Sequence, residues 1–255
     1  MLPPPPTRLS STLQTQPARC TYDGILVVGT HAGCGKTVVT AALAVILNHM
    51  GFDVLAYKPL GLETARTRSN DQTYLDITTG RPPGYTTQFF DSPSQVRDQQ
   101  WQRLMHQCCS GTKPFLIECP GSVTTPWLWR LPNILVDAMS VAVDYQFPTV
   151  LVAACGPDFI DQTHLALSHM VQRGSKPLGV VVTHPYPPGQ TTDEALQLTL
   201  CQLLCQNYDV PYLGSIPYHD GVDVDRLSPG ASVDLAAEHL DLLPFQLQSG
   251  VMLSC

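Results

Sequence analysis

Positive charge is scarce in this 255-residue sequence: 14 lysines and arginines stand against 21 aspartates and glutamates, a net charge of −7. An acidic surface gains nothing from a phosphate backbone or an anionic headgroup, which argues against a nucleic-acid or membrane-surface binder. Anionic small molecules stay open, since they need only local positive charge. Also missing is any C-x-x-C pair among the nine cysteines. Their odd number, and the position of several inside apolar patterns, point to reduced buried thiols rather than a zinc site or a disulfide framework. The eight histidines show no metal-ligand spacing, with His164 and His169 five apart and His31 alone. No apolar run approaches bilayer-spanning length, and Met1-Leu2 with the four prolines after it lacks the apolar stretch of a signal peptide. No internal repeat is visible. A chain that is 44% hydrophobic can bury a sizeable core, so the expectation is a soluble, cytoplasmic, globular enzyme.

What is present is one concentrated signal. Ile25 to Gly29 have the character of a buried strand, and Thr30-His31-Ala32-Gly33-Cys34-Gly35-Lys36-Thr37 follow as a loop of small residues that opens an apolar helical run, Val38 to Leu47. This is the layout of a phosphate-binding loop. Small residues let backbone N–H groups approach phosphate oxygens, and the helix N-terminus adds its positive dipole end. Lys36 supplies a charge near the β and γ phosphates, and the Thr37 hydroxyl suits Mg²⁺. The loop is one residue longer than G-x-x-x-x-G-K-[ST], its first glycine being Gly29 rather than residue 30.

Along the chain, strands of about five residues alternate with helices of ten to fifteen. Strands are expected at 53–57, 115–119, 150–154, 178–182 and 210–214. Helices are expected to about Met50, from 69–71 to about Thr79, and over 94–109, 132–146, 160–173, 192–207 and 231–242. Residues 60–68, with Arg66 and Arg68, and 85–93 read as irregular. The pattern specifies an α/β fold, a mainly parallel sheet with helices on both faces, P-loop NTPase-like. Residues 1–22, rich in Pro, Thr, Ser and Gln, read as a disordered or loosely attached arm, 23–245 as a single domain, and 246–255 as a tail.

In such sheets ligands bind beyond the carboxyl ends of the strands. Lys36 and Thr37 follow strand one, Lys58 closes the next strand, Asp71 starts the helix after it, and Glu118 closes the strand at 115–119. As a unit, Thr37, Asp71 and Glu118 can hold Mg²⁺ through oxygen, and Lys36 and Lys58 can neutralise a transferring phosphoryl group. Lys58 has a second reading as a solvated residue before Pro59, and Asp71 as a helix cap alone. Glu118, ending an apolar strand, is harder to explain without a partner. Thr183 and His184 end a strand where a base-recognising residue could sit. Trp127 and Trp129 suit a pocket wall or the core equally.

These residues together resemble the dethiobiotin synthetases, within the deviant-loop group of P-loop ligases. The resemblance covers 24–220 and rests on Gly29-Thr30 with Gly35-Lys36-Thr37, on Tyr57-Lys58-Pro59, on Asn70-Asp71 and on Ile117-Glu118 with Gly121. It continues through 148–173 and Leu213-Gly214-Ser215-Ile216-Pro217. It implies a homodimeric enzyme that closes the ureido ring of dethiobiotin from 7,8-diaminononanoate, CO₂ and Mg·ATP. The amine takes up CO₂, ATP phosphorylates the carbamate, and the second amine displaces phosphate. By position, the resemblance assigns catalytic roles to Lys36 and Lys58 and Mg²⁺ binding to Thr37, Asp71 and Glu118. Nucleotide contacts fall to Gly33, Cys34, Gly35, Lys36, Thr37, Val38, Thr183 and Pro217.

The sequence departs from the family pattern on the diamine side. His31 and Ala32 replace an Asp and a Thr of the loop, and Leu62 stands where a Ser is usual. Cys119-Pro120-Gly121-Ser122 replaces G-A-G-G, and Thr183 replaces the Asn that reads adenine. Gly156 to Gln162 has lost the lysine of the segment that meets the substrate carboxylate across the dimer and has gained Asp158 and Asp161. The loop also resembles that of the cobyrinic acid a,c-diamide synthases, although no glutaminase-like region follows. Two functions therefore stand: an ATP- and Mg²⁺-dependent cyclo-ligase, or a diverged P-loop protein that takes another amine or carboxylate substrate or acts as a nucleotide-switched regulator.

Overall fold

The strands alternate in which face of the sheet each side chain serves, and that alternation builds two cores. Leu26 and Val28 point into one apolar cluster and Ile25 and Val27 into the other. Leu151 and Ala153 divide in the same way from Val150, Val152 and Ala154, and Val180 and Val182 from Val181. A strand buried on both faces is an apolar run, which is why these segments read as Val- and Leu-rich stretches rather than polar–apolar alternations. The computed structural model describes residues 24–61, 70–82, 87–90, 95–109, 113–130, 134–189, 193–243 and 245. The arm at 1–22, the loop with Arg66 and Arg68, Leu62 and the tail at 246–255 lie outside the described residues, as does the Trp129 side chain.

The elements run β1 (Gly24–Gly29), α1 (Lys36–His49), β2 (Leu55–Tyr57), β3 (Leu60–Gly61), α2 (Asp71–Thr78), β4 (Gln88–Phe89), α3 (Asp98–Cys109) and β5 (Phe115–Glu118). There follow β6 (Pro126–Arg130), β7 (Ile134–Asp137), α4 (Ala138–Tyr145), β8 (Thr149–Ala154), α5 (Phe159–Gln172), β9 (Gly179–Thr183), α6 (Glu194–Asn207), β10 (Tyr212–Ile216) and α7 (Ser232–His239). Six strands form one parallel sheet in the order β10-β9-β8-β1-β5-β2. Helices α1, α2 and α7 contribute to the core on one face, and α3, α4, α5 and α6 to the core on the other. The chain crosses from β1 to β2 on one side and reaches β8 on the other, so the loop after β1 sits where ligands bind in sheets of this kind.

Three segments differ from the sequence-based expectation. The helix expected over 132–146 is shorter: β6 and β7 pair antiparallel, and the helix begins only at Ala138. Asp137 is extended and its carboxylate accepts from the Ser140 backbone N–H at 2.8 Å, an N-cap that stops the helix from extending backwards. The strand expected over 53–57 loses its first two residues, because Asp53 has a left-handed φ of 49° that no strand residue adopts. Leu60–Gly61 and Gln88–Phe89, expected to be irregular, form a short parallel pair. Among the described residues no helix is long and apolar enough to cross a membrane. The six cysteines whose side chains are described, Cys34, Cys108, Cys119, Cys155, Cys201 and Cys205, are buried reduced thiols.

Gly214 interrupts β10 with a bulge and meets Leu240 beyond the end of α7. Its φ is +125°, and a Cβ there would lie 2.1 Å from the His239 carbonyl oxygen, a backbone atom that has no room to yield. Gly214→Ala is therefore expected to cost more than about 3 kcal/mol, because backbone strain and a fixed clash add. A thermal melt of the variant measures it.

Candidate active site

The loop after β1 is tied to neighbouring segments as well as to itself. Thr30 N–H donates to Val152 O at 3.0 Å, and Val123 N–H to Gly29 O at 2.8 Å. The Thr183 hydroxyl donates to Cys34 O at 2.9 Å. Gly35 has a φ of +84°, and a Cβ there would come 2.9 Å from the Thr183 methyl, so position 35 takes glycine on two grounds. Helix α1 starts at Lys36 with no side-chain cap bond and no acidic residue in its first turn. The first N–H groups of a helix have no partners within it. Here the chain leaves that positive end to whatever fills the cavity in front of it.

That cavity, of about 570 Å³, is lined by Gly33, Gly35, Lys36, Thr37 and Val38 from the loop and α1, together with Lys58, Asp71 and Glu118. Lys36 is buried, and its Nζ donates to His31 O at 3.0 Å, so the ammonium lies across the loop. Glu118 joins two of the groups. Its Oε1 accepts from the Thr37 hydroxyl at 3.0 Å and from Lys58 Nζ at 3.2 Å. Lys58 also pairs with Asp71. The backbone of Lys58 is fixed on both sides, its N–H donating to Gln72 Oε1 at 2.8 Å and its carbonyl accepting from the Thr87 hydroxyl at 2.7 Å. Lys58 is 7% exposed, so its reading as a solvated lysine is set aside. Asp71 is more than a cap, because its carboxylate is turned to Lys58.

Glu118 is 1% exposed, and its Oε2 has no hydrogen-bond partner among the described residues. A carboxylate oxygen stripped of water and left unbonded is costly, and a hydrated cation would satisfy it. Two carboxylates and a hydroxyl form a hard oxygen set of the kind Mg²⁺ takes while keeping some of its waters. The donors present therefore fit Mg²⁺. Among the described residues no cluster of three or more His, Cys, Asp or Glu side chains offers an alternative metal site.

A second cavity of about 230 Å³ shares Gly33, Gly35, Val38 and Val224 with the first. Thr183, His184, Pro217, Tyr218 and His219 line it, so the sequence-derived pair Thr183 and Pro217 is brought together. The Thr183 hydroxyl proton is given to the loop, which makes this residue a support for Cys34 and Gly35 as much as a wall. Burial pushes the His184 imidazole below its ordinary pKa, opposed by Glu194, whose carboxylate lies 3.6 Å away. Burial also holds the Cys119 thiol well above its usual range, so this neighbour of Glu118 stays protonated. Trp127 lines neither cavity; it packs edge-on against Trp101 in the core, with ring centroids 5.5 Å apart. Sequence reasoning missed Gln72, Thr87, Asp223, Val224 and Asp225. None carries a local signal, because each reaches the site only through the fold.

A family model described as an AAA domain, AAA_26, matches residues 23–226. The chain belongs to that family. Among curated relatives of this AAA_26 chain, the ATP-dependent dethiobiotin synthetase BioD of Bacillus velezensis is 25% identical over 86% of the chain and 94% of its own length. That of Bacillus licheniformis is 26% identical over 89% and 98%. The similarity to dethiobiotin synthetases read from the motifs thus extends over most of the sequence. Two solved cell-division structures share the fold. The MinC:MinD complex of Aquifex aeolicus matches at 17% identity and a TM-score of 0.51, over 84% of this chain and 94% of that one. MinD of Pyrococcus furiosus matches at 18% and 0.51, over 89% and 99%. At such identities the likeness is one of architecture.

Proposed function

We propose that the protein is an ATP- and Mg²⁺-dependent cyclo-ligase of the dethiobiotin synthetase type, which closes a cyclic urea from 7,8-diaminononanoate and CO₂ through a phosphorylated carbamate. The observation that carries this reading is the convergence of two lysines on one cavity with Thr37, Asp71 and Glu118. A phosphate loop alone needs one lysine. A second, buried and shared between two carboxylates, suits a reaction in which a carbamate and a γ-phosphoryl group must be held together.

In this reading Lys36 turns from His31 O to the phosphates, the α1 N-terminus takes up negative charge, and Thr37, Asp71 and Glu118 hold the metal. Mg²⁺ would supply charge neutralisation at the phosphates. Lys58 orients the carbamate oxygens toward the transferring group, and the walls of the cavity keep water from competing with the second amine. The nucleotide base fits the smaller cavity near Thr183 and Pro217. A homodimer and one ligase domain over 23–245 belong to the same reading.

The other reading is a related nucleotide-binding protein with a different amine or carboxylate substrate, or a regulator with none. It is favoured by Ala32, which lines the cavity without a hydroxyl, and by Asp158 and Asp161 at the start of α5, where an anionic tail would be repelled. Steady-state ADP release with Mg·ATP separates the two. Release that needs both the diamine and bicarbonate supports the ligase. ATP binding without diamine-dependent release supports the alternative.

A further inference from the structure

One segment, residues 217–228, roofs both cavities. Asp223, Val224 and Asp225 line the phosphate side, while Pro217, Val222 and Val224 line the smaller cavity. The segment is closed on itself. Asp223 and Ser228 exchange two backbone hydrogen bonds of 2.8 Å each, and the Ser228 hydroxyl donates to Gly221 O at 2.7 Å. These bonds tie it together as one unit. A side-chain hydrogen bond joins this unit to the metal side: Asn70 Nδ2 donates to Asp225 O at 3.0 Å. Asn70 is the residue before α2, next to Asp71. One turn further along α2 the buried Tyr74 hydroxyl lies 3.5 Å from Ser232 Oγ, at the start of α7 and in the wall of the smaller cavity. An asparagine before a helix ordinarily caps it. The Asn70 side chain makes no cap bond to α2 and spends a donor on the roof instead.

We infer that Asn70 is a positioning residue that couples a nucleotide base in the smaller cavity to the placement of Asp71, and through Asp71 to Lys58. The inference rests on the nucleotide-binding part of the reading above. A base seated under Val222 and Val224 orders the roof, the roof holds Asn70 through the Asp225 carbonyl, and Asn70 fixes the first turn of α2. The coupling runs both ways, as any linkage between two binding events must. A ligand with phosphates and no base fills the larger cavity alone and makes no use of the link.

The test compares Mg·ATP with Mg·tripolyphosphate, each titrated into the parent protein and into Asn70→Ala. Because no cap bond is lost, the variant keeps its fold, and Asn70→Ser, too short to reach the Asp225 carbonyl, must behave in the same way. The parent is expected to bind Mg·ATP more tightly than Mg·tripolyphosphate. The variants are expected to weaken Mg·ATP roughly 5- to 20-fold, the lower part of the range for coupling between sites, while tripolyphosphate affinity stays within about twofold. Equal weakening of both ligands would reveal a merely structural role and overturn the coupling, as would unchanged ATP affinity. A parent protein that binds neither ligand would overturn the nucleotide reading itself, and this inference with it.

Discussion

Lys36→Ala is expected to lower diamine-dependent turnover by at least about 10²- to 10³-fold, the usual loss when a preorganised charge on a developing anion is removed. The lysine is buried and already lies across the loop, donating to His31 O. Its ammonium thus needs only a short turn to meet a phosphate, with little reorganisation to offset its effect. Folding should be little affected, because the hydrogen bonds of Lys36 among the described residues stay within its own loop. A steady-state assay with a thermal melt alongside separates the two effects. Turnover within tenfold of the parent would mean that this loop is not the one at which chemistry occurs.

Lys58→Met is expected to fail differently, with a loss of both activity and stability. Lys58 is the cation shared by Asp71 and Glu118, and Glu118 lies almost wholly out of water. Removing one partner of a buried ion pair leaves an uncompensated charge, which commonly costs about 3–5 kcal/mol. A hydrated Mg²⁺ could take up part of that charge through the same carboxylates. The metal should therefore raise the melting temperature of the variant more than that of the parent, an excess readable by titrating Mg²⁺ into both during thermal denaturation. Turnover should fall by about 10²-fold or more whether or not the metal restores the fold. A solvated lysine would instead give a change within about 0.5 kcal/mol.

The residues that were legible in the sequence are those whose role follows from position along one strand or helix. Gly35-Lys36-Thr37 join a buried strand to an apolar helix, Lys58 and Glu118 sit at strand ends, and Asp71 sits at a helix start; the fold delivers all of them to one cavity. The alternation of short strands with longer helices similarly points to a mainly parallel sheet covered on both faces. What was not legible depends on contacts distant in sequence. By sequence β7 reads as part of a helix, because Ile134 to Tyr145 is apolar enough for either, and only the Asp137 cap decides where the helix begins. Gln72 and Thr87 are ordinary polar residues until the Lys58 backbone comes between them. Asp223 and Asp225 lie in a polar loop after the last strand, and nothing local distinguishes them from solvated carboxylates. Trp127, which by sequence suits a pocket wall or the core equally, is settled as core only by a contact distant in sequence, since its partner Trp101 comes from α3.

The most direct measurement is of the product. Purified protein is incubated with Mg·ATP, ¹³C-bicarbonate and 7,8-diaminononanoate, and dethiobiotin is followed by mass alongside ADP. The expected result is dethiobiotin carrying the label in its ureido carbon, formed in step with ADP and absent when any one component is left out. ATP binding with no labelled dethiobiotin at any diamine concentration would contradict the ligase assignment.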